Sequence, residues 1–379
     1  MELKRSQKIS SMLAERIAAG DFPSAVYIVA EKGSAIFADA MGYAVREPER
    51  REATLETVYD LASLTKPLVT GLLSAKMIER GRLKLDSAAS FYLPEFDRDD
   101  KRAITVRQLL THTSGLPAWR PLYLIARTKE KVLDAVANEP LHAMPGTHVV
   151  YSDLGFITLG LLLEKLYGAQ LSEIARREIF DPLNLARTFF NPSAAMRTGV
   201  AACETGNAYE RGMCGAEIEK YGAVNFREEI IWGEVHDGNA HFLGGAAGHA
   251  GLFSTAQETL RIATQFHANL TELLQPATCA LFRENMTEGM EEARSLAWQL
   301  AATKDSSAGP ELPLDSFGHL GFTGTSCWND PQQERTFILL TNRTHARTLP
   351  FVNINGVRRM FHTLAVEAME ERREEISAL

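Results

Sequence analysis

Ser63-Leu64-Thr65-Lys66-Pro67-Leu68-Val69 reads as a helix start with chemistry on it. Through residues 64–80, Leu64, Leu68 and Leu72 fall in one i, i+4 row and Val69, Leu73 and Met77 in another, which predicts a helix with a broad apolar face. Proline costs about 3 kcal/mol inside a helix but is tolerated in the first turn, so Pro67 predicts a start at or near Ser63. A serine at that position meets free backbone N–H groups and the positive end of the helix dipole, both of which favour a developing oxyanion. Lys66, three residues on, shares its face. Partial desolvation beside a positive dipole end predicts a lowered lysine pKa. A neutral amine can take the proton that a serine hydroxyl must lose to become a nucleophile. Taken alone, the pattern also fits a capping serine beside a solvated lysine, although no other serine in the chain has lysine three residues later.

Outward from this helix the chain reads as strands at both ends with helices between. Residues 6–19 form an amphipathic pattern with Ile9, Met12, Leu13, Ile17 and Ala18 on one side. Residues 25–30 and 35–40 read as two strands of a hairpin, turned by Glu31-Lys32-Gly33-Ser34. Helices are predicted at 105–110, 154–166 (ending near Gly168), 172–180 and 260–274, with 201–255 a long glycine- and alanine-rich connection. Residues 317–321, 325–329 and 336–341 read as strands and 355–376 as a closing helix. This order predicts an α+β chain whose sheet is built from both termini around a helical insertion. The expected division is a discontinuous sheet domain, 1–85 and 240–379, with a mostly helical domain, 86–239, between its halves.

Short motifs supply further candidates. In Tyr151-Ser152-Asp153-Leu154-Gly155, Asp153 is the predicted N-cap of the next helix, leaving Tyr151 and Ser152 on the preceding loop, able to point into a cleft. Of the nine tyrosines only Tyr151 has Asn or Asp two residues later. In Gly318-His319-Leu320-Gly321-Phe322-Thr323-Gly324, glycines within a strand mark close approach of a ligand or another backbone. The runs 110–117 and 244–251, the latter Gly244-Gly245-Ala246-Ala247-Gly248-His249-Ala250-Gly251, have no evident chemical role. His236, His241 and His249 have no metal-ligand spacing, and Cys203, Cys214, Cys279 and Cys327 read as reduced thiols, so no metal and no cofactor is expected. A net charge of −8 without a basic stripe argues against nucleic acid as a partner. No stretch approaches the ~20 apolar residues of a membrane span, so no membrane partner is expected. The N-terminal run Met1-Glu2-Leu3-Lys4-Arg5-Ser6-Gln7-Lys8-Ile9-Ser10 has positive charge but no signal-peptide core, and a cytoplasmic location is expected.

Together these pieces resemble the serine β-lactamase-like and penicillin-binding-protein superfamily, on the branch of class C β-lactamases, DD-peptidases and related esterases. Ser63-x-x-Lys66, Tyr151-x-Asp153 and His319-x-Gly321 occur in that family's motif order. The run Ile104–Pro117 looks like the branch's most characteristic stretch, and Ala250-Gly251-Leu252-Phe253-Ser254-Thr255 is similar to another. The resemblance implies an antiparallel sheet flanked by helices, an inserted all-helical domain, and a site in the cleft between them. It implies that Ser63 is acylated, that Lys66 and Tyr151 share the acid–base work, and that the backbone N–H groups of Ser63 and Phe322 form the oxyanion hole. Asp153, His319, Gly321 and Phe322 would then line the substrate side.

Two positions depart from the family pattern. Asp153 replaces the usual asparagine, and could pair with Lys66 and hold it charged. His319 and Leu320 replace a Lys-Thr pair that recognises a substrate carboxylate, which puts efficient β-lactam hydrolysis in doubt. The expected function is therefore a carboxylesterase-like serine hydrolase acting on small acyl esters or amides. The alternatives are a DD-peptidase or weak β-lactamase, and a non-catalytic binding protein on the same fold.

Overall fold

A computed structural model describes residues 2–222 and 226–377. The main sheet has seven strands, all paired antiparallel. In chain order the strands of the structure are β1 (Ser24–Glu31), β2 (Ser34–Val45), β3 (Arg51–Glu52), β4 (Tyr59–Asp60), β5 (Phe253–Ser254), β6 (Gln299–Leu300), β7 (Phe317–Leu320), β8 (Ser326–Asp330) and β9 (Arg335–Thr341). The sheet order is β3-β2-β1-β9-β8-β7-β6, so β1 from the N-terminal part lies beside β9 from the C-terminal part. β4 and β5 form a separate two-stranded ribbon.

Strand β1 shows why the sheet sits in the middle. Its pattern is nearly continuous apolar rather than alternating, because both faces are covered. Ala25, Tyr27 and Val29 pack with Ile9, Leu13, Phe337 and Phe361 under the first and last helices, Glu2–Ala19 and Asn355–Ser377. Val26, Ile28 and Ala30 face the opposite way, into the larger core with Leu64, Leu68, Leu72, Phe156 and Trp298. Burying each such side chain contributes about 1.5–3 kcal/mol, so the helical segments are fixed to the sheet by the same stripe that the sequence shows at 64–77. No single helix among the described residues is long and apolar enough to cross a membrane.

Three local expectations are corrected. The run from Ser63 is not one uniform helix: a 3₁₀ turn at Ala62–Leu64 passes into a wide π-helical turn at Lys66–Gly71 and then an α-helix at Leu72–Glu79. The helix expected at 260–274 begins earlier, at Ala256, where the Thr255 side chain accepts the Glu258 N–H, and it ends with a 3₁₀ turn at Phe266. The cap before Leu154 is Ser152, whose Oγ accepts the Gly155 N–H at 3.1 Å, and Asp153 is the first helical residue.

Two histidines buried in the scaffold set a pH response. Burial pushes His267 and His362 down to about 4; His267 lies by Asn329 and Thr336, and His362 Nδ1 donates to the Ser307 carbonyl. An unfolded histidine protonates near 6.5, so below that pH the unfolded state binds protons that the folded state refuses. Stability is therefore full above about pH 6.5 and falls as pH drops toward about 4, by on the order of 3 kcal/mol per residue. Thermal melts across this range should show the loss, and His362→Gln should remove about half of it.

Candidate functional site

Ser63 sits directly after a strained residue. Ala62 has φ +47°, a conformation costly for a residue with Cβ and typical of functional turns. Asp60, buried in β4, holds this turn: Oδ1 accepts the Ala62 N–H at 2.8 Å and Oδ2 the His236 N–H at 2.8 Å. The loop after β7 is tied to the same place. Thr323 Oγ1 donates to the Asp60 carbonyl at 2.7 Å and Thr325 Oγ1 to the Leu61 carbonyl at 3.0 Å. Gly321 is where these backbones meet, and a Cβ there would lie 2.6 Å from the Leu61 carbonyl oxygen. Ser63 and Phe322 both border one cavity of about 640 Å³, which Tyr151, Asp153 and His319 also line. Among the described residues neither the Ser63 nor the Phe322 backbone N–H is given to a protein acceptor. A larger cavity, about 890 Å³, opens beside Lys131 and Lys220, but no serine or cysteine lines it.

Lys66 is fully buried; its Nζ donates to Ser63 Oγ at 2.9 Å and to the His249 carbonyl at 3.2 Å, and forms an ion pair with Asp153 Oδ1 at 2.7 Å. Burial pulls the Lys66 pKa down, but Asp153 and Tyr151 outweigh it and hold the amine above the ordinary lysine range. The sequence expectation of a lowered pKa is therefore corrected. The partner anticipated at position 153 decides the matter, because a carboxylate at 2.7 Å acts strongly on a fully buried amine.

Tyr151 lies over this group, with Lys66 Nζ 4.9 Å from its ring centroid and Arg294 Cζ 5.4 Å from it. The ring is flanked by two imidazoles, His112 stacked at 4.5 Å and His319 tilted at 5.8 Å. Both imidazoles are buried and held well below the ordinary histidine pKa, by burial first and then by the nearby cations Lys66 and Arg294. His112 Nδ1 accepts the Ser152 N–H at 2.9 Å, which places the neutral ring's proton on Nε2. His319 Nδ1 donates to the Leu320 carbonyl at 2.8 Å, which leaves Nε2 as a bare lone pair.

Two stretches without an evident role in the sequence position the site. The run at 110–117 is a bed for the loop carrying Tyr151. Carbonyls of His112, Thr113, Gly115 and Pro117 accept from Val150, Gly146, His142 and the Ser152 hydroxyl. The loop at 244–251 presses on the helix Asp153–Tyr167 through Gly160 and Gly248, and a Cβ on Gly248 would lie 2.0 Å from the Phe156 carbonyl oxygen. That close approach brings the His249 carbonyl to Lys66. Gly248→Ala is expected to cost about 1–3 kcal/mol in a thermal melt and to lower kcat about tenfold by displacing that carbonyl; unchanged kcat would argue against the positioning role.

Of the three histidines weighed as metal ligands, His236 and His241 pair with Glu204 and Glu234 instead. Among the described residues only His249 joins a group of three ligand-type side chains: it, Asp153 and Asp237 offer atoms within 4.8 Å of one another. His249 Nε2 is bonded to Asp237 Oδ1 at 2.8 Å and Asp153 is taken by the Lys66 ammonium, so a proton and a lysine serve the charges there. The four cysteines are free and buried.

Two cations reach the site from elsewhere in the chain without any motif to mark them. Arg343 Nη2 donates to the Phe322 carbonyl at 2.7 Å, and Arg358 Nη2 to the Gly321 and Thr325 carbonyls at 2.8 and 2.9 Å. Both line the cavity, and neither has a carboxylate partner among the described residues. Burial, reinforced by Arg343, pushes the Arg358 guanidinium down to about 9.

The arrangement joins a serine, a buried cation in contact with it, a tyrosine over that cation and two open N–H groups. That set can carry out acyl transfer. Over most of its length the chain is similar to proteins of this chemistry. It is 31% identical over 369 residues to the N-acetylmuramyl-L-alanine amidase of Bacillus subtilis (strain 168), covering 90% of this chain and 82% of that one. Among solved structures it superposes on EstCE1, a hydrolase with promiscuous acyltransferase activity, with a TM-score of 0.74 at 24% identity, covering 97% and 98% of the two chains. A class C β-lactamase gives a TM-score of 0.71 at 18% identity, with 98% of each chain covered. The family model described as Beta-lactamase matches residues 9–354, and with the fold and the relatives in agreement the chain belongs to the β-lactamase family of serine hydrolases.

Proposed function

We propose that the chain hydrolyses small acyl esters or amides through an acyl enzyme on Ser63, with Lys66 and Tyr151 moving the protons. The observation that carries this is the Lys66 Nζ to Ser63 Oγ contact of 2.9 Å, made by a fully buried lysine under the Tyr151 ring. The Ser63 and Phe322 N–H groups are the oxyanion donors in this reading. The substrate acyl group occupies the cavity beside Phe322.

A second reading within the same chemistry is favoured by Arg343 and Arg358. Their unpaired charge on the cavity wall supplies the cation that His319 and Leu320 do not, and suits an amide bearing a carboxylate. The amidase named above, at 31% identity, supports an amide. A panel of a short p-nitrophenyl ester, an N-acetylmuramyl-L-alanine amide, a D-Ala-D-Ala peptide and a chromogenic cephalosporin separates the two. The first reading expects a burst and turnover with the neutral ester, at a kcat/KM above that for the cephalosporin. A carboxylate-bearing amide outrunning the ester establishes the second, and no turnover of any member counts against both.

A further inference from the structure

We propose that Asp153 is the proton-accepting end of a relay from Ser63 through Lys66, a role that rests on the acyl-serine reading above. The geometry sets a problem and supplies the answer. Lys66 faces Ser63 as an ammonium held charged by the Asp153 carboxylate at 2.7 Å, so it has no lone pair with which to take the serine proton. It can take one only by giving one up. Of the groups around Nζ, Ser63 Oγ is the one being activated, the His249 carbonyl does not hold a proton, and the Tyr151 hydroxyl is itself a proton donor. Asp153 Oδ1, ion-paired with Nζ at 2.7 Å, is the carboxylate that remains and the shortest contact. The lysine side chain is 0% exposed, so solvent does not reach Nζ to do the same work.

Protons and charge balance through the step. As Ser63 Oγ bonds to the substrate acyl carbon, its O–H bond breaks and the proton passes to Lys66 Nζ. One Nζ proton passes at the same time to Asp153 Oδ1, and the negative charge moves to the acyl oxygen at the Ser63 and Phe322 N–H groups. On collapse the bond from the acyl carbon to the leaving oxygen or nitrogen breaks. The leaving atom takes a proton from the Tyr151 hydroxyl, Tyr151 is refilled from Lys66, and Lys66 from Asp153. The enzyme ends as an ester of Ser63 with Lys66 an ammonium and Asp153 a carboxylate again.

Lys66 titrates in a defined setting. Tyr151 and Asp153 face it from the stretch that begins the helix Asp153–Tyr167, and the His249 carbonyl faces it from the glycine loop, with Asp237 behind. His112 and His319 lie neutral around Tyr151, with Arg294 over the ring. Asp153 is thus the nearest anion holding Lys66 charged. Removing it leaves only Tyr151 to oppose burial, so the Lys66 pKa falls. The variant then acts through a free amine, which the wild type does not need.

The test is the burst rate of p-nitrophenyl acetate acylation from about pH 6 to about pH 10 in wild type, Asp153→Asn and Asp153→Glu. The relay predicts a flat wild-type rate from about pH 7 upward. It predicts an Asp153→Asn rate at least about tenfold lower near pH 7, rising with pH by up to about tenfold per unit. Asp153→Glu, which keeps the acceptor, should retain the flat profile. The relay is overturned by an Asp153→Asn rate equal to wild type near pH 7, or by a loss of the same factor at every pH, as a structural role would give. If Asp153→Asn fails to fold, a rising profile in Asp153→Glu overturns it equally. Wild type that forms no Ser63 adduct contradicts the parent reading instead, whereas an adduct with a profile indifferent to Asp153 contradicts the relay alone.

Discussion

Lys66→Arg is expected to lower the acylation rate about a thousandfold, a loss of about 4 kcal/mol in transition-state stabilisation at about 1.4 kcal/mol per tenfold. The substitution keeps a positive charge beside Asp153, so it tests more than charge. Arginine does not release a proton in the working pH range, whereas lysine does. The position also leaves no room: Lys66 is fully buried among Ser63, Tyr151, Phe156 and the His249 carbonyl. Proton transfer by a positioned group contributes about 10²–10⁴-fold, and the predicted loss falls within that range. Burst kinetics with a p-nitrophenyl ester measure it directly, and circular dichroism confirms the fold. Turnover within about tenfold of wild type would remove Lys66 from the proton path.

Tyr151→Phe isolates one hydroxyl. The ring keeps its stacking on His112 and its place over the Lys66 ammonium, so packing is preserved. What goes is the O–H in a water-poor corner beside two neutral imidazoles and the cation. We expect kcat to fall about a hundredfold to a thousandfold, with KM for a neutral ester nearly unchanged, because the hydroxyl acts in the transition state rather than in binding. A rise in KM at constant kcat would instead make Tyr151 a binding residue.

The parts of this fold set by local pattern were legible in the sequence. The strands read at 25–30, 35–40 and 336–341 carry runs dense in apolar residues and fall within β1, β2 and β9, although β2 continues to Val45, and the last helix carries an amphipathic stripe. The two-residue strands β3 to β6 were not legible, because two residues hold no periodicity. The wide turn at Lys66–Gly71 was hidden because an i, i+4 row looks the same with one π-helical turn in it.

The site divides in the same way. Ser63, Lys66 and Tyr151 stood out by spacing, and the pairing of Asp153 with Lys66 was foreseeable from the carboxylate alone. The direction of the lysine shift was not, because it depends on two opposing effects that only a distance can rank. Ser152 rather than Asp153 became the cap because its hydroxyl reaches both the Gly155 N–H and the Pro117 carbonyl, the latter from a segment 35 residues away. Arg343 and Arg358 belong to no motif and reach the cavity only through the sheet and the last helix. The cavity is lined from segments far apart in the chain, so no local pattern encodes its shape.

Reaction with a fluorophosphonate, followed by intact mass and peptide mapping, tests acylation of Ser63 most directly. We expect one adduct per chain, located on Ser63, formed more slowly in Lys66→Arg and absent from Ser63→Ala. An adduct on Ser114, Ser152 or any other residue, or esterase turnover persisting at the wild-type rate in Ser63→Ala, would contradict Ser63 as the nucleophile.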